Sequence, residues 1–185
     1  VSAVITTLRD LVPIRPLTYG ESMRIAELQA TRLRILAGVT EPALAETVIS
    51  QLPKVQVERM FPAPISGATQ WSHGRWLIVL NGAEALVRQR FSLAHEFKHV
   101  LDNPFIDLLY PATRTLGSSD RAEQMCDYFA GCLLMPRALL KRAWAEGPQD
   151  IRKLARRFDV SVQAMQIRLL QVGLIEPTPR CETAA

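Results

Sequence analysis

Apolar and polar positions along this chain follow two rhythms, and the changes between them mark its elements. Between Thr18 and Ala37 the apolar residues Ile25, Leu28, Leu33 and Leu36 recur at helical spacing. Thr18-Tyr-Gly-Glu21 forms a capping box ahead of them, and Gly38 closes the helix. A second helix is predicted from Glu41 to Leu52, with Thr40 as cap and Pro42 in its first turn. The rhythm then shortens to two. Lys54 to Met60 alternates as a half-buried strand until Pro62 and Pro64 interrupt it. Ala68–Trp71 and Arg75–Leu80 pair as a hairpin through Ser72-His73-Gly74. Helical spacing returns over 84–102 and stops at Asn103-Pro104, an irregular stretch covers Phe105 to Ser118, and another helix runs over 120–134. Two last helices between Asp150 and Gly173 join at Phe158-Asp-Val, with Ser161 capping the second. The fold class is α+β, mostly helical, with a small antiparallel sheet beside the helix over 84–102.

Length and composition narrow the class. A chain of 185 residues buries one good core, expected over 1–147 (helices in 18–53, sheet in 54–81, then the helices over 84–102 and 120–134). The helix pair in 148–176 is appended to it, and 177–185 is expected to be a disordered tail. Apolar residues at 48% and charged residues at 22% are ordinary for a globular protein, and no apolar run approaches the roughly 20 residues that span a bilayer. The first ten residues lack the basic region and hydrophobic segment of a secretory signal, and the chain does not begin with methionine, so an upstream piece is expected to have been removed. Cys126, Cys132 and Cys181 are too few and too irregular for a disulfide framework, which favours a reducing cytoplasm. The net charge of +4 is concentrated: from Arg137 to Arg168 eight basic residues face three acidic ones. Such a face suits an acidic partner or simply water.

The helix over 84–102 carries the pattern His95-Glu96-Phe-Lys-His99. Residues four apart share a helix face, so both imidazoles can reach one ion, and Glu96, rotated about 100° from His95, can touch a water on that ion without binding it. That geometry makes a zinc-activated water with a carboxylate base. The plainer alternative is a surface helix with two solvated histidines. Against it, Leu93, Phe97, Val100 and Leu101 form an apolar stripe separate from the polar one of Arg88, Ser92, His95, His99 and Asp102, as the floor of a cleft requires.

A zinc held by two histidines needs a third protein ligand and an open position. Glu123 on the next helix supplies one, and Asp127, one turn on, can accept the free N–H of a ligand imidazole. Glu123 also stands at capping-box spacing from Asp120, and Cys126 lies near enough in sequence to approach the metal, although a small buried thiol is the commoner fate.

Taken together, Trp76-Leu-Ile-Val-Leu-Asn81, Arg90-Phe-Ser-Leu-Ala-His95-Glu96-Phe-Lys-His99-Val-Leu and Glu123-Gln-Met-Cys-Asp127-Tyr-Phe-Ala-Gly-Cys-Leu-Leu-Met-Pro136 resemble the ImmA/IrrE family of metallopeptidases. The resemblance covers about a third of the chain directly. It implies a zincin-like fold, one zinc bound by His95, His99 and Glu123, and Glu96 as catalytic base. It further implies a cytoplasmic protease whose substrate is a helix-turn-helix repressor, cleaved to derepress phage, mobile-element or stress genes. Two positions depart from the family pattern: Asp127 stands where Asn is usual, and Lys98 where Gly is frequent. Lys98, on its long stem, is expected to reach water.

The group that stabilises an oxyanion is less legible. His73, Tyr110 and Tyr128 are candidates, with Tyr110 preferred because its loop follows the metal helix. The last two helices resemble a helix-turn-helix whose second member exposes Gln163, Gln166 and Gln171 with Arg168 as its only cation, too little charge to favour direct DNA binding over packing against the core. A rival of another class is a non-catalytic regulatory module whose basic C-terminal helices bind a repressor or DNA. Retention of Glu96 argues against it, because a structural zinc has no use for a neighbouring base.

Overall fold

In the computed structural model, which describes residues 3–103, 105–113 and 117–176, the helices that carry His95, His99 and Glu123 lie at the centre of the described fold. They are α4 (Leu86–Asp102) and α6 (Ser118–Leu134). Before them come α1 (Ala3–Arg9), α2 (Tyr19–Leu36) and a single turn, α3 (Thr47–Ser50). Between them lies a second short turn, α5 (Ile106–Leu109), inside the stretch expected to be irregular. After them come α7 (Arg137–Glu146), α8 (Ile151–Phe158) and α9 (Val162–Gln171). No helix among the described residues is long and apolar enough to cross a membrane.

α4 packs on α6 through Phe97 and Phe129, whose ring centroids are 6.4 Å apart, within a core that includes Leu93, Val100, Ala130 and Leu133. The predicted stripe Leu93, Phe97, Val100 and Leu101 is wholly buried. Arg9 of α1 donates to the carbonyls of Val100 (2.7 Å) and Leu101 (3.2 Å), satisfying acceptors that the end of α4 leaves without helical partners. α2 covers the other side of α6, where buried Arg34 donates to the Leu133 carbonyl at 3.1 Å. Its capping box at Thr18 and Glu21 forms as the spacing requires.

The sheet has three strands, β1 (Val55–Met60), β2 (Gly67–Ser72) and β3 (Arg75–Asn81), in the order β1-β3-β2. β2 and β3 form the expected antiparallel hairpin, with Trp71 opposite Trp76 and Gly67 opposite Leu80. β1 runs parallel to β3, with Val55 opposite Trp76, so the sheet is mixed and not antiparallel throughout. Alternation in a sequence marks the buried face of a strand; it carries no information about the direction of the neighbour. Trp76, Ile78 and Leu80 are buried along the central strand, while β2 is left as a free edge.

Several expected features differ. The helix expected over Glu41 to Leu52 shrinks to α3, since Glu41 to Leu44 run irregularly after Thr40. On α2, Leu28 and Leu36 are exposed; the buried face is Ile25, Ala26, Gln29, Ala30 and Leu33. α9 begins and ends as expected, with Ser161 accepting a backbone N–H and Gly173 at φ +72°, while Asp150 caps α8 by accepting the N–H groups of Arg152 and Lys153. Leu154, Phe158, Met165 and Leu169 join the same core as α4 and α6. Arg168 is not an exposed cation: it is 1% exposed, donates to the Met135 carbonyl at 3.2 Å and stacks over the Tyr128 ring at 5.3 Å. The tail 177–185, with Cys181, lies outside the described residues.

Candidate metal centre

α4 and α6 bring three ligand-type side chains to one point. His95 Nε2 lies 3.1 Å from Glu123 Oε2, His99 Nε2 lies 3.2 Å from Glu123 Oε1, and the two Nε2 atoms are 3.3 Å apart. Bond lengths of 2.0–2.1 Å set tetrahedrally about a zinc ion put neighbouring ligand atoms about 3.3–3.4 Å apart. Each pairwise spacing is that of neighbouring ligands in such a site, with Glu123 meeting the two imidazoles through different oxygens, and a donor set of two imidazoles and a carboxylate leaves a fourth position open.

The alternatives for the third ligand can be compared directly. Asp120 accepts the N–H of Gly117 (3.3 Å) and closes the start of α6, so the cap is made one turn before Glu123. Cys126 lies under the site, its sulfur within 4.8 Å of both histidine nitrogens, and His95, His99 and Cys126 are therefore also close enough to hold a metal. Its thiol is fully buried and burial pushes its pKa well up, a shift that a bound cation would oppose. The Glu123 oxygens are nearer and open to the cleft.

On its other nitrogen, Nδ1, His95 meets Asp127 Oδ1 at 2.9 Å, the arrangement that fixes a ligand imidazole's tautomer and angle. Burial works against protonation of His95, yet the hydrogen bond and charge of Asp127, with Glu123 and Glu96, outweigh it and raise its pKa. His99 goes the other way, lowered by burial and by its neighbour His95.

Glu96 is 8% exposed, and its carboxyl pKa is raised by burial. The start of β2 presses on it: a Cβ at Gly67 would sit 2.9 Å from both Glu96 Cγ and Oε1. Only glycine lets the strand edge pass this close to the carboxylate. Gly67 had escaped the sequence reading because the contact joins residues 29 apart, and neither segment signals it alone.

The cleft extends both ways from these residues. One hollow of about 440 Å³ runs along the β2 edge past Trp71, Trp76, His99 and Asn103; another of about 290 Å³ runs toward the start of α4, past Ser66, Arg88 and Ser92. None of the three oxyanion candidates lines either hollow. Tyr110 is 1% exposed, and its hydroxyl donates to Asp102 Oδ2 at 2.6 Å. His73 sits at the hairpin tip bonded to Ser72, and Tyr128 lies under Arg168. Lys98, expected to reach water, is fully buried and donates to Asp102 Oδ1 at 2.5 Å and to the Tyr110 oxygen at 3.3 Å. Asp102, on the same helix face as His95 and His99 but at the end of α4, is therefore covered and not open to the cleft.

Two packed helices presenting such a cradle beside an edge strand define a zincin-like α+β fold of the metallopeptidase type. Residues 53–170 match the IrrE N-terminal-like domain, peptidase family M78, and the chain belongs to that family. Among solved structures, a Mycobacterium tuberculosis transcriptional regulator superposes with a TM-score of 0.66 at 17% identity, over 89% of this chain and 51% of that one. This chain thus corresponds to about half of that regulator, and the likeness is one of fold. No curated protein matches.

Proposed function

We propose that the protein is a cytoplasmic zinc endopeptidase whose substrate is a helix-turn-helix repressor. His95, His99 and Glu123 hold the ion, and the observation that carries this reading is their convergence at spacings of 3.1–3.3 Å with Glu96 beside them. When bound, zinc supplies a Lewis acid that acidifies a water and polarises a peptide carbonyl. Glu96 takes the proton on its carboxylate and returns it to the leaving amine. Its buried setting makes that carboxylate more basic than a solvated one. Asp127 holds the His95 ring, and the free backbone of β2 offers an extended substrate main-chain pairing along the cleft. In this reading 1–147 is the catalytic body and 148–176 a helix pair packed on it. Membership of a peptidase family supports hydrolysis, and the match to a transcriptional regulator supports the link to gene control.

The experiment is metal content by mass spectrometry on chelator-free protein, followed by cleavage of a repressor encoded beside the gene. One zinc per chain, lost in His95→Ala and Glu123→Ala, is expected. Glu96→Gln should keep the metal and lose cleavage; a Glu96→Gln protein that still cuts would sink the mechanism. Burial of Arg168 leaves α9, the helix that would enter a groove, without a free cation, while the exposed basic residues of the rival binding module, Arg152, Lys153, Arg156 and Arg157, lie on α8.

A further inference from the structure

The cleft does not end at the histidines. Beyond Phe91 it opens into a hollow of about 510 Å³ between α2, α4, α6 and α9. Arg88, Phe91 and Asp127 line both this hollow and the catalytic cleft, so the two form one trench. Three helices turn apolar side chains into it: Met23 from α2, Val87 and Phe91 from α4, and Ile167 from α9, the last 49% exposed. Apolar groups gathered from separate elements around one open groove mark a surface that something covers. α9 is held rigidly there, because Arg168 ties it to the Met135 carbonyl and to the Tyr128 ring of α6.

We propose that this groove is a substrate-recognition site, occupied by the stretch of polypeptide that leaves the catalytic cleft along α4, with a bulky apolar side chain seated between Val87, Phe91 and Ile167. The inference rests on the peptidase reading above. Its occupant is a polypeptide because the groove continues a cleft whose β2 edge pairs with extended backbone. The reach is right: Val87 and His95 are eight residues apart on one helix, about 12 Å at 1.5 Å per residue, which about four extended residues span. The helix-turn-helix-like pair thereby acquires a use other than DNA, as one wall of the trench.

The test uses a phage-displayed library of random twelve-residue peptides panned on the zinc-loaded full chain carrying Glu96→Gln. Enriched peptides should carry Phe, Leu, Ile, Met or Trp at a fixed offset of about four residues from the bond that the wild-type enzyme cuts in them. They should slow amide hydrogen exchange in α9. Ile167→Asp, at a half-exposed position, and Val87→Glu, on a different helix, should each weaken binding about tenfold or more while thermal stability and zinc content stay unchanged. Absence of enrichment, or enriched peptides that bind both variants as tightly as the parent, would overturn the groove assignment. Peptides that require Ile167 and Val87 yet survive incubation with the zinc-loaded wild type would leave the groove standing and overturn the peptidase reading instead.

Discussion

Asp127 Oδ1 lies 2.9 Å from His95 Nδ1, on the ring nitrogen turned away from Glu123. On the zinc reading proposed above, the carboxylate acts on the ion through the imidazole between them. Asp127→Ala should weaken zinc binding about 10- to 100-fold at pH 8, measured by competition with a chromophoric chelator. The pH dependence separates orientation from charge. Asp127 raises the His95 pKa, so proton competition with the metal sets in at higher pH than it would for an ordinary imidazole. Removing that carboxylate lowers the His95 pKa, so in Asp127→Asn the pH at which apparent zinc affinity starts to fall should move down, even though affinity at pH 8 is weaker. An unchanged onset would assign Asp127 to positioning alone.

Gly67→Ala tests the contact between the sheet and the base. The added methyl would meet Glu96 at 2.9 Å, so strand or carboxylate must shift. Turnover should fall about 100-fold, the scale of a displacement near 1 Å, with zinc content unchanged. Equal loss of metal would mean that the strand had moved the whole cradle.

The buried ion pair behind the site makes a stability prediction. Asp102→Ala leaves Lys98, fully buried, without its counter-charge and should cost about 3–5 kcal/mol, lowering Tm by on the order of 10 °C in thermal melts. The double variant Lys98→Met with Asp102→Leu should recover most of this, since neither charge then remains buried. Tyr110→Phe removes the hydrogen bond to Asp102 and the longer one from Lys98, at about 1–3 kcal/mol, and should leave turnover intact because Tyr110 lines neither hollow of the cleft.

Glu21 makes a pH prediction far from the cleft. Its carboxylate bonds Arg15 and the Thr18 N–H and hydroxyl, which hold its pKa down to about 2. A depressed folded-state pKa stabilises above the ordinary value of 4.5, and that stabilisation fades as pH falls toward 2. The Tm of Glu21→Gln should therefore lie slightly below wild type at pH 7, and the gap should close between pH 4.5 and 2.

What the sequence disclosed and what it hid divide along a physical line. The cradle was legible because helical spacing alone places His95, Glu96 and His99, and a second helix with Glu123 and Asp127 four apart completes the geometry. Helix caps at Thr18 and Ser161 were legible because they are local hydrogen bonds. Lys98 was misread since a long cation ordinarily reaches water. Only tertiary packing reveals that Asp102 and Tyr110 enclose it. Arg168 was misread for the same reason, its partners Met135 and Tyr128 lying more than 30 residues away. The direction of β1 and the closeness of Gly67 to Glu96 are likewise relations between distant segments, invisible to any window of sequence.

The Phe97–Phe129 packing of α4 against α6 has a further consequence. His95, His99, Glu123 and Asp127 all stand on helices whose opposite faces are buried in one hydrocarbon core, so the proposed metal site is carried by a scaffold with its own source of stability. On the zinc reading the ion would then be a passenger, unlike the staple that small zinc-dependent domains need in order to fold. Protein stripped by a chelator should accordingly keep its helical circular dichroism and regain metal without refolding.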